Sequence, residues 1–147
     1  MKIYLSARFA RQAELRVYRS ELTAMGHTVT SRWLDEETLN DDGISLPGCW
    51  TFPVPEIAEN ELDDLYAADC LVAFTEPPRV GPMRGGRHVE FGIALGMKIE
   101  GGRQCDGCGK RLRLIVVGYR ENPFHCLDSV AFFPTWAEAK RYLASLA

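Results

Sequence analysis

Cys70-Leu71-Val72-Ala73-Phe74-Thr75 is the stretch that decides the fold of this chain. It is apolar almost throughout, has strand length and lacks the polar alternation of a half-exposed strand. That pattern predicts a strand covered on both faces, which places it inside a parallel sheet flanked by helices. Upstream, Pro55 suits the first position of a helix running through Glu56 to Ala68, with Ile57, Leu62, Leu65 and Tyr66 on its apolar side. Downstream, Glu76-Pro77-Pro78 ends the strand, and Gly85-Gly86, flanked by Arg84 and Arg87, opens a second helix. This helix carries Val89, Phe91, Ile93, Ala94, Leu95 and Met97 on most of its sides, so it predicts cover from the sheet and from another subunit. Gly92 and Gly96 lie one turn apart, where a neighbour can come close.

The same reading extends to both ends. Lys2 to Ser6 is a short apolar strand, and Leu15, Tyr18, Leu22 and Met25 form a helical stripe that Gly26 stops. His27 to Thr30 reads as a second strand, completing a βαβ unit. From Ser31 to Pro55 the pattern dissolves into a long loop holding Trp33, Trp50 and Phe52, the composition of a binding loop or a partly disordered one. Leu112 to Gly118 and Val130 to Phe133 read as strands, and Thr135-Trp-Ala-Glu138 is a capping box for a terminal helix to about Leu146. This alternation predicts one α/β domain over 1–147, an open, mostly parallel five-stranded sheet with helices on both faces, flavodoxin- or Rossmann-like.

Composition narrows the function. The chain has 147 residues, enough for one core and too few for two ordinary domains. A net charge of -3 argues against long nucleic acid or an anionic membrane as partner. The start has no signal-peptide architecture and no apolar run reaches membrane-spanning length, so a cytoplasmic protein is expected. Five cysteines without a secretory signal suggest reduced thiols.

In a sheet of this class the ligand lies at the carboxyl ends of the strands. Three segments converge there: Ser6-Ala7-Arg8-Phe9, Ser31-Arg32-Trp33, and Glu76 to Glu90. The helix start at Gly85-Gly86 offers backbone N–H groups and a positive dipole end, which can hold an anion and keep Glu90 ionised. Glu90 is thus either a candidate for chemistry or a complement to the dipole. Arginine forks with backbone N–H groups suit a phosphate and aromatic faces suit a base, so a small nucleotide is the simplest ligand. Ser6, Arg8, Gly85, Gly86 and Arg87 are candidates for a 5′-phosphate, with Ala7 on the same segment, and Phe9 and Trp33 for flanking the base.

Met1-Lys-Ile-Tyr-Leu-Ser, the segment Asp64-Leu65-Tyr-Ala-Ala-Asp69-Cys-Leu-Val-Ala-Phe, and Gly85-Gly86 followed by Glu90-Phe91-Gly92-Ile93-Ala94-Leu95-Gly96 resemble the nucleoside 2-deoxyribosyltransferase superfamily, which includes the 2′-deoxynucleoside 5′-monophosphate N-hydrolases. The resemblance covers most of residues 1–98 and, more loosely, 112–122. It implies an N-glycosidic-bond hydrolase or transferase in which Glu90 attacks the anomeric carbon. It also implies an acid handling the base at Glu61, where the family usually has Asp, and a structural role for Asp69. Arg84 stands where similar transferases have Asp and the hydrolases Ser, which favours an anionic substrate. In similar enzymes a neighbouring subunit completes the pocket, which points to Asn122, accompanied by His125, and to a homodimer or higher homo-oligomer. No catalytic cofactor is implied. Two other readings stay open: a nucleotide-binding sensor without turnover, and a zinc-stabilised interaction module.

The second of these comes from a polar insertion at about 99–111 that contains Cys105-Asp-Gly-Cys108. Two thiolates at this spacing can meet one metal ion, so Cys105 and Cys108 are candidate ligands for a structural zinc, with Cys126, His125 and Cys49 as possible completions.

Overall fold

The computed structural model describes residues 1–36, 54–77, 85–102 and 112–146, without the side chains of 54, 55 and 99–102. Arg84, Cys49, Trp50, Phe52, Cys105 and Cys108 lie outside the described residues. Five strands, β1 (Lys2–Ser6), β2 (Thr28–Val29), β3 (Cys70–Phe74), β4 (Arg113–Val117) and β5 (Val130–Phe133), form one sheet in the order β2-β1-β3-β4-β5. Every neighbouring pair is parallel, so the sheet goes beyond the expected "mostly parallel". Among the described residues the long helices are α1 (Gln12–Ala24), α2 (Val54–Ala67), α3 (Gly86–Gly102) and α4 (Trp136–Ala144). α2 packs with α3 on β1, while α4 packs on β4 and β5 and meets α1 through Tyr18 and Trp136, whose rings stack at 4.5 Å. Both faces of the sheet are therefore covered. β3 is buried at every position, as its unbroken apolar run requires.

Local chemistry explains the element ends. Gly26, at φ 82°, turns the chain out of α1 in a conformation that side chains with a Cβ disfavour. Thr135 Oγ1 accepts from Glu138 N, and the Glu138 carboxylate accepts from Thr135 N at 3.1 Å, the two halves of the capping box that starts α4. Asp69 is structural: its Oδ2 accepts from Lys2 N at 2.8 Å, its N–H donates to Lys2 O, and its carbonyl accepts from Arg113 N. One residue thus aligns the starts of β1, β3 and β4.

The structure corrects some expectations. β2, at one edge of the sheet, has only two paired residues, shorter than the expected strand over His27 to Thr30. Tyr66 is not a core residue of α2 but exposed, whereas Leu65 and Ala68 are buried. α3 continues to Gly102, so the first residues assigned to the insertion are helical.

The sheet order reverses between β1 and β3, which puts a crevice at their carboxyl ends. Ser6 ends β1 there, Thr75 follows β3, and α3 begins above them.

Candidate active site

Side chains two apart on a strand share a face, so Tyr4 and Ser6 of β1 point the same way. Both reach Glu90 in the second turn of α3. Tyr4 OH donates to Glu90 Oε1 at 3.1 Å, and Ser6 Oγ donates a short hydrogen bond to Glu90 Oε2. Each carboxylate oxygen is thereby held by one donor from the sheet. Burial raises the pKa of Glu90 above the ordinary carboxylate range, and the bonds from Ser6 and Tyr4 oppose that rise. Burial therefore outweighs the ionising influence expected from the helix start. Tyr4 is itself pushed upward, by burial first and then by Glu90, so its phenol stays protonated and able to donate.

Glu61, on α2, is the second carboxylate of the site. Its pKa rises to about 7, through burial first and then through the negative charges of Glu90, Glu36 and Asp64. Two neighbouring carboxylates in a poorly solvated crevice do not both ionise cheaply, so one keeps its proton toward neutral pH. Asp64 is engaged by Arg32, which reaches it through Nε at 2.7 Å and through its backbone N–H at 2.8 Å. Glu61 is thus a group able to exchange a proton near neutral pH.

The other predicted residues are spread between crevice and frame. Gly85 and Gly86 are exposed at the start of α3, with open space around them. Arg8 is half-buried on the segment after β1, and among the described residues its side chain has no hydrogen-bond or ion-pair partner. Ala7 packs on the core, and Phe9 lies 6.2 Å from Trp33 at a tilt of 43°. Three residues read for substrate contact have other partners. Ser6 spends its hydroxyl on Glu90. Trp33 is buried and donates Nε1–H to Leu5 O at 2.9 Å, making it core rather than an open wall. Arg87 is buried in an ion pair with Glu121, which also accepts from Glu76 N at 2.9 Å. This clamp joins the first turn of α3 to the loops after β3 and β4.

Asn122 caps a short turn at Pro123–Cys126, its Oδ1 accepting from Phe124 N and His125 N. His125 is buried, receives Glu121 N–H on Nδ1 at 3.3 Å and meets the edge of Phe91. Its ring is occupied locally, which disfavours it as a metal ligand. Among the described residues no group of three or more His, Cys, Asp or Glu is placed to hold a metal ion. Beside Asn122 lies an apolar groove of about 690 Å³, lined among others by Phe91, Gly92, Leu95, Gly96 and Phe124.

Tyr4 is the site residue that sequence reasoning missed, because an aromatic in an apolar strand looks like core. A useful signal was present: a hydroxyl-bearing pair two residues apart on the strand entering the switch point. Among the described residues no helix is long and apolar enough to cross a membrane.

No protein-family model matches this chain, and no curated protein does. Solved structures do. A 2-deoxyribosyltransferase from Bacillus psychrosaccharolyticus superposes with a TM-score of 0.61 at 19% identity, over 97% of this chain and 92% of that one. A CMP N-glycosidase from Clostridium botulinum superposes with a TM-score of 0.52 at 20% identity, over 99% of this chain and 98% of that one. The chain shares the fold of these two enzymes, which is the fold its sequence resemblance implied.

Proposed function

We propose that this protein cleaves the N-glycosidic bond of a nucleotide or nucleoside, with a 5′-monophosphate preferred and the sugar passed to water or to a second base. The observation that carries the reading is Glu90, held through both oxygens by Tyr4 and Ser6, beside a Glu61 whose pKa is about 7. The likeness to a deoxyribosyltransferase and a CMP N-glycosidase supports the same chemistry. A Glu90 oxygen forms a bond to C1′ as the C1′–N bond breaks; the electron pair of that bond goes to the base nitrogen, and the proton of Glu61 follows it. Glu61 then takes a proton from water or an incoming base as that group bonds to C1′ and the Glu90 ester breaks. No cofactor is needed for either step.

The test is a chromatographic screen of nucleosides and their monophosphates, with and without an acceptor base. Release of base from any of them supports the proposal, and none from the whole panel ends it.

The acid role fixes a pH dependence. Glu61 works while protonated, so the rate falls as pH rises through about 7, and the acidic limb reports the ionisation of Glu90. Glu61→Gln is expected to lose the alkaline limb. An alkaline limb unchanged in that variant would assign it to another group.

Arg8 and the backbone N–H groups at Gly85 and Gly86 are proposed to hold the phosphate, since Arg87 is engaged with Glu121. Arg8→Ala should raise KM for monophosphates by roughly 10-fold, the loss of a charge-assisted contact, and leave nucleosides nearly unchanged. Equal losses on both would remove Arg8 from that role.

A homo-oligomer is part of the proposal. Val89 on α3 and Phe124 beside the groove are 61% and 60% exposed, apolar surface that a second copy can cover. Light scattering should give at least twice the mass of the chain, and Phe124→Asp should lower it. A monomeric wild type would reject this part.

A further inference from the structure

We infer that Ser6 is a positioning residue for the reaction, its hydroxyl holding Glu90 Oε2 so that the carboxylate keeps one orientation beneath the sugar. The inference rests on the proposed role of Glu90 and changes the role of Ser6 from a phosphate contact to a support of the nucleophile. Ser6 is fully buried at the last position of β1, where an apolar β-branched residue would pack well. A hydroxyl buried there costs free energy unless it is bonded, and its bond goes to Glu90. The terminal torsion of a glutamate is broad and nearly two-fold, so one donor leaves the carboxylate free to swing about that contact. With Tyr4 on Oε1 and Ser6 on Oε2, the plane is set by two points on a single strand.

Among the described residues the groups facing Glu90 are few. Tyr4 and Ser6 come from β1, and Glu61 comes from α2 with Asp64 on the same helix and Glu36 beyond it. β3 carries no charged side chain, and the Arg113 of β4 stands exposed at the opposite end of its strand. Within α3, Arg87 is paired with Glu121. Ser6 is therefore one of two groups that oppose the effect of burial on Glu90, and its loss should make that carboxylate harder to ionise.

The test compares Ser6→Ala, Ser6→Thr and Ser6→Cys with wild type. Ser6→Ala is expected to lower kcat roughly 10-fold with KM little changed, and to move the acidic limb of the pH profile to higher pH. Thr keeps the hydroxyl and should restore the limb; Cys keeps the volume with a weaker donor and should fall between, which serves if Ala folds poorly. An acidic limb at the same pH in wild type, Ser6→Ala and Ser6→Cys would overturn the inference. Titration of the Glu90 carboxylate by carbon-13 resonance needs no turnover: a higher midpoint without the Ser6 hydroxyl supports the contact, and an unchanged one overturns it. Base release unaffected by Glu90→Ala would instead sink the nucleophile assignment, so the two failures are told apart.

Discussion

Glu90→Ala is expected to release base at least roughly 10³-fold more slowly than wild type, because among the described residues no other carboxylate is held against the crevice in the same way. Glu61 does not replace it. Its pKa of about 7 keeps it mostly protonated below neutral pH, and it stands on another helix. Glu90→Gln makes the sharper comparison, since it keeps the shape and removes the charge. The loss should fall on kcat rather than on KM, because the charge is needed when positive charge develops on the sugar ring. Glu90→Gln should fold about as well as wild type, since it removes a charge that burial makes costly and keeps a carbonyl acceptor, whereas Glu90→Ala leaves the buried Tyr4 and Ser6 hydroxyls without theirs and should be less stable. A stable variant with wild-type base release would overturn the assignment. A stable variant without base release supports it and excludes unfolding as the cause.

Gly118→Ala is expected to cost about 2–4 kcal/mol of stability. Gly118 follows β4 at φ 112°, outside the region open to residues with a Cβ. A Cβ there would lie 2.9 Å from Thr75 Oγ1 and 3.0 Å from Thr75 O. Neither atom can retreat freely. Thr75 Oγ1 donates to Val117 O at 3.0 Å and accepts from Tyr119 N, while Gly118 N donates to Phe133 O at 3.0 Å, so the loops after β3, β4 and β5 are tied at one point. For a domain of this size the melting temperature should drop by roughly 5–15 °C, measured by circular dichroism. A change below about 2 °C would show that the junction relaxes without strain.

Much of the architecture was legible because it rests on local chemistry. The apolar run at Cys70–Phe74 specified a doubly covered strand, and Gly26 and the Thr135–Glu138 box marked their helix ends by backbone geometry. The edge was less legible: β2 makes only two pairs, and Tyr66 lies on a helix whose periodicity does not say where the sheet stops covering it. In the site, Glu90 was singled out from its helix start and Glu61 through the resemblance, but the environment of neither was legible. Pairing over 84 positions, as between Ser6 and Glu90, has no local signal, and neither does the capture of Arg87 by Glu121. Both depend on which strands become neighbours. Trp33 illustrates the same limit, since an aromatic after an edge strand reads equally as wall or as core until its N–H finds Leu5 O.

β1 lies between β2 and β3 and pairs with both, and it carries the two residues that hold Glu90. Amides of interior strands exchange with solvent chiefly through global opening, whereas loops open at little cost. The orientation of Glu90 is thus coupled to the cooperative unfolding of the whole domain rather than to local fraying at the crevice. A weakened domain such as Gly118→Ala would then lose molecules to unfolding while each folded molecule kept its nucleophile aligned. Thermal tolerance and turnover per folded molecule become separable quantities, set at different points of the same sheet.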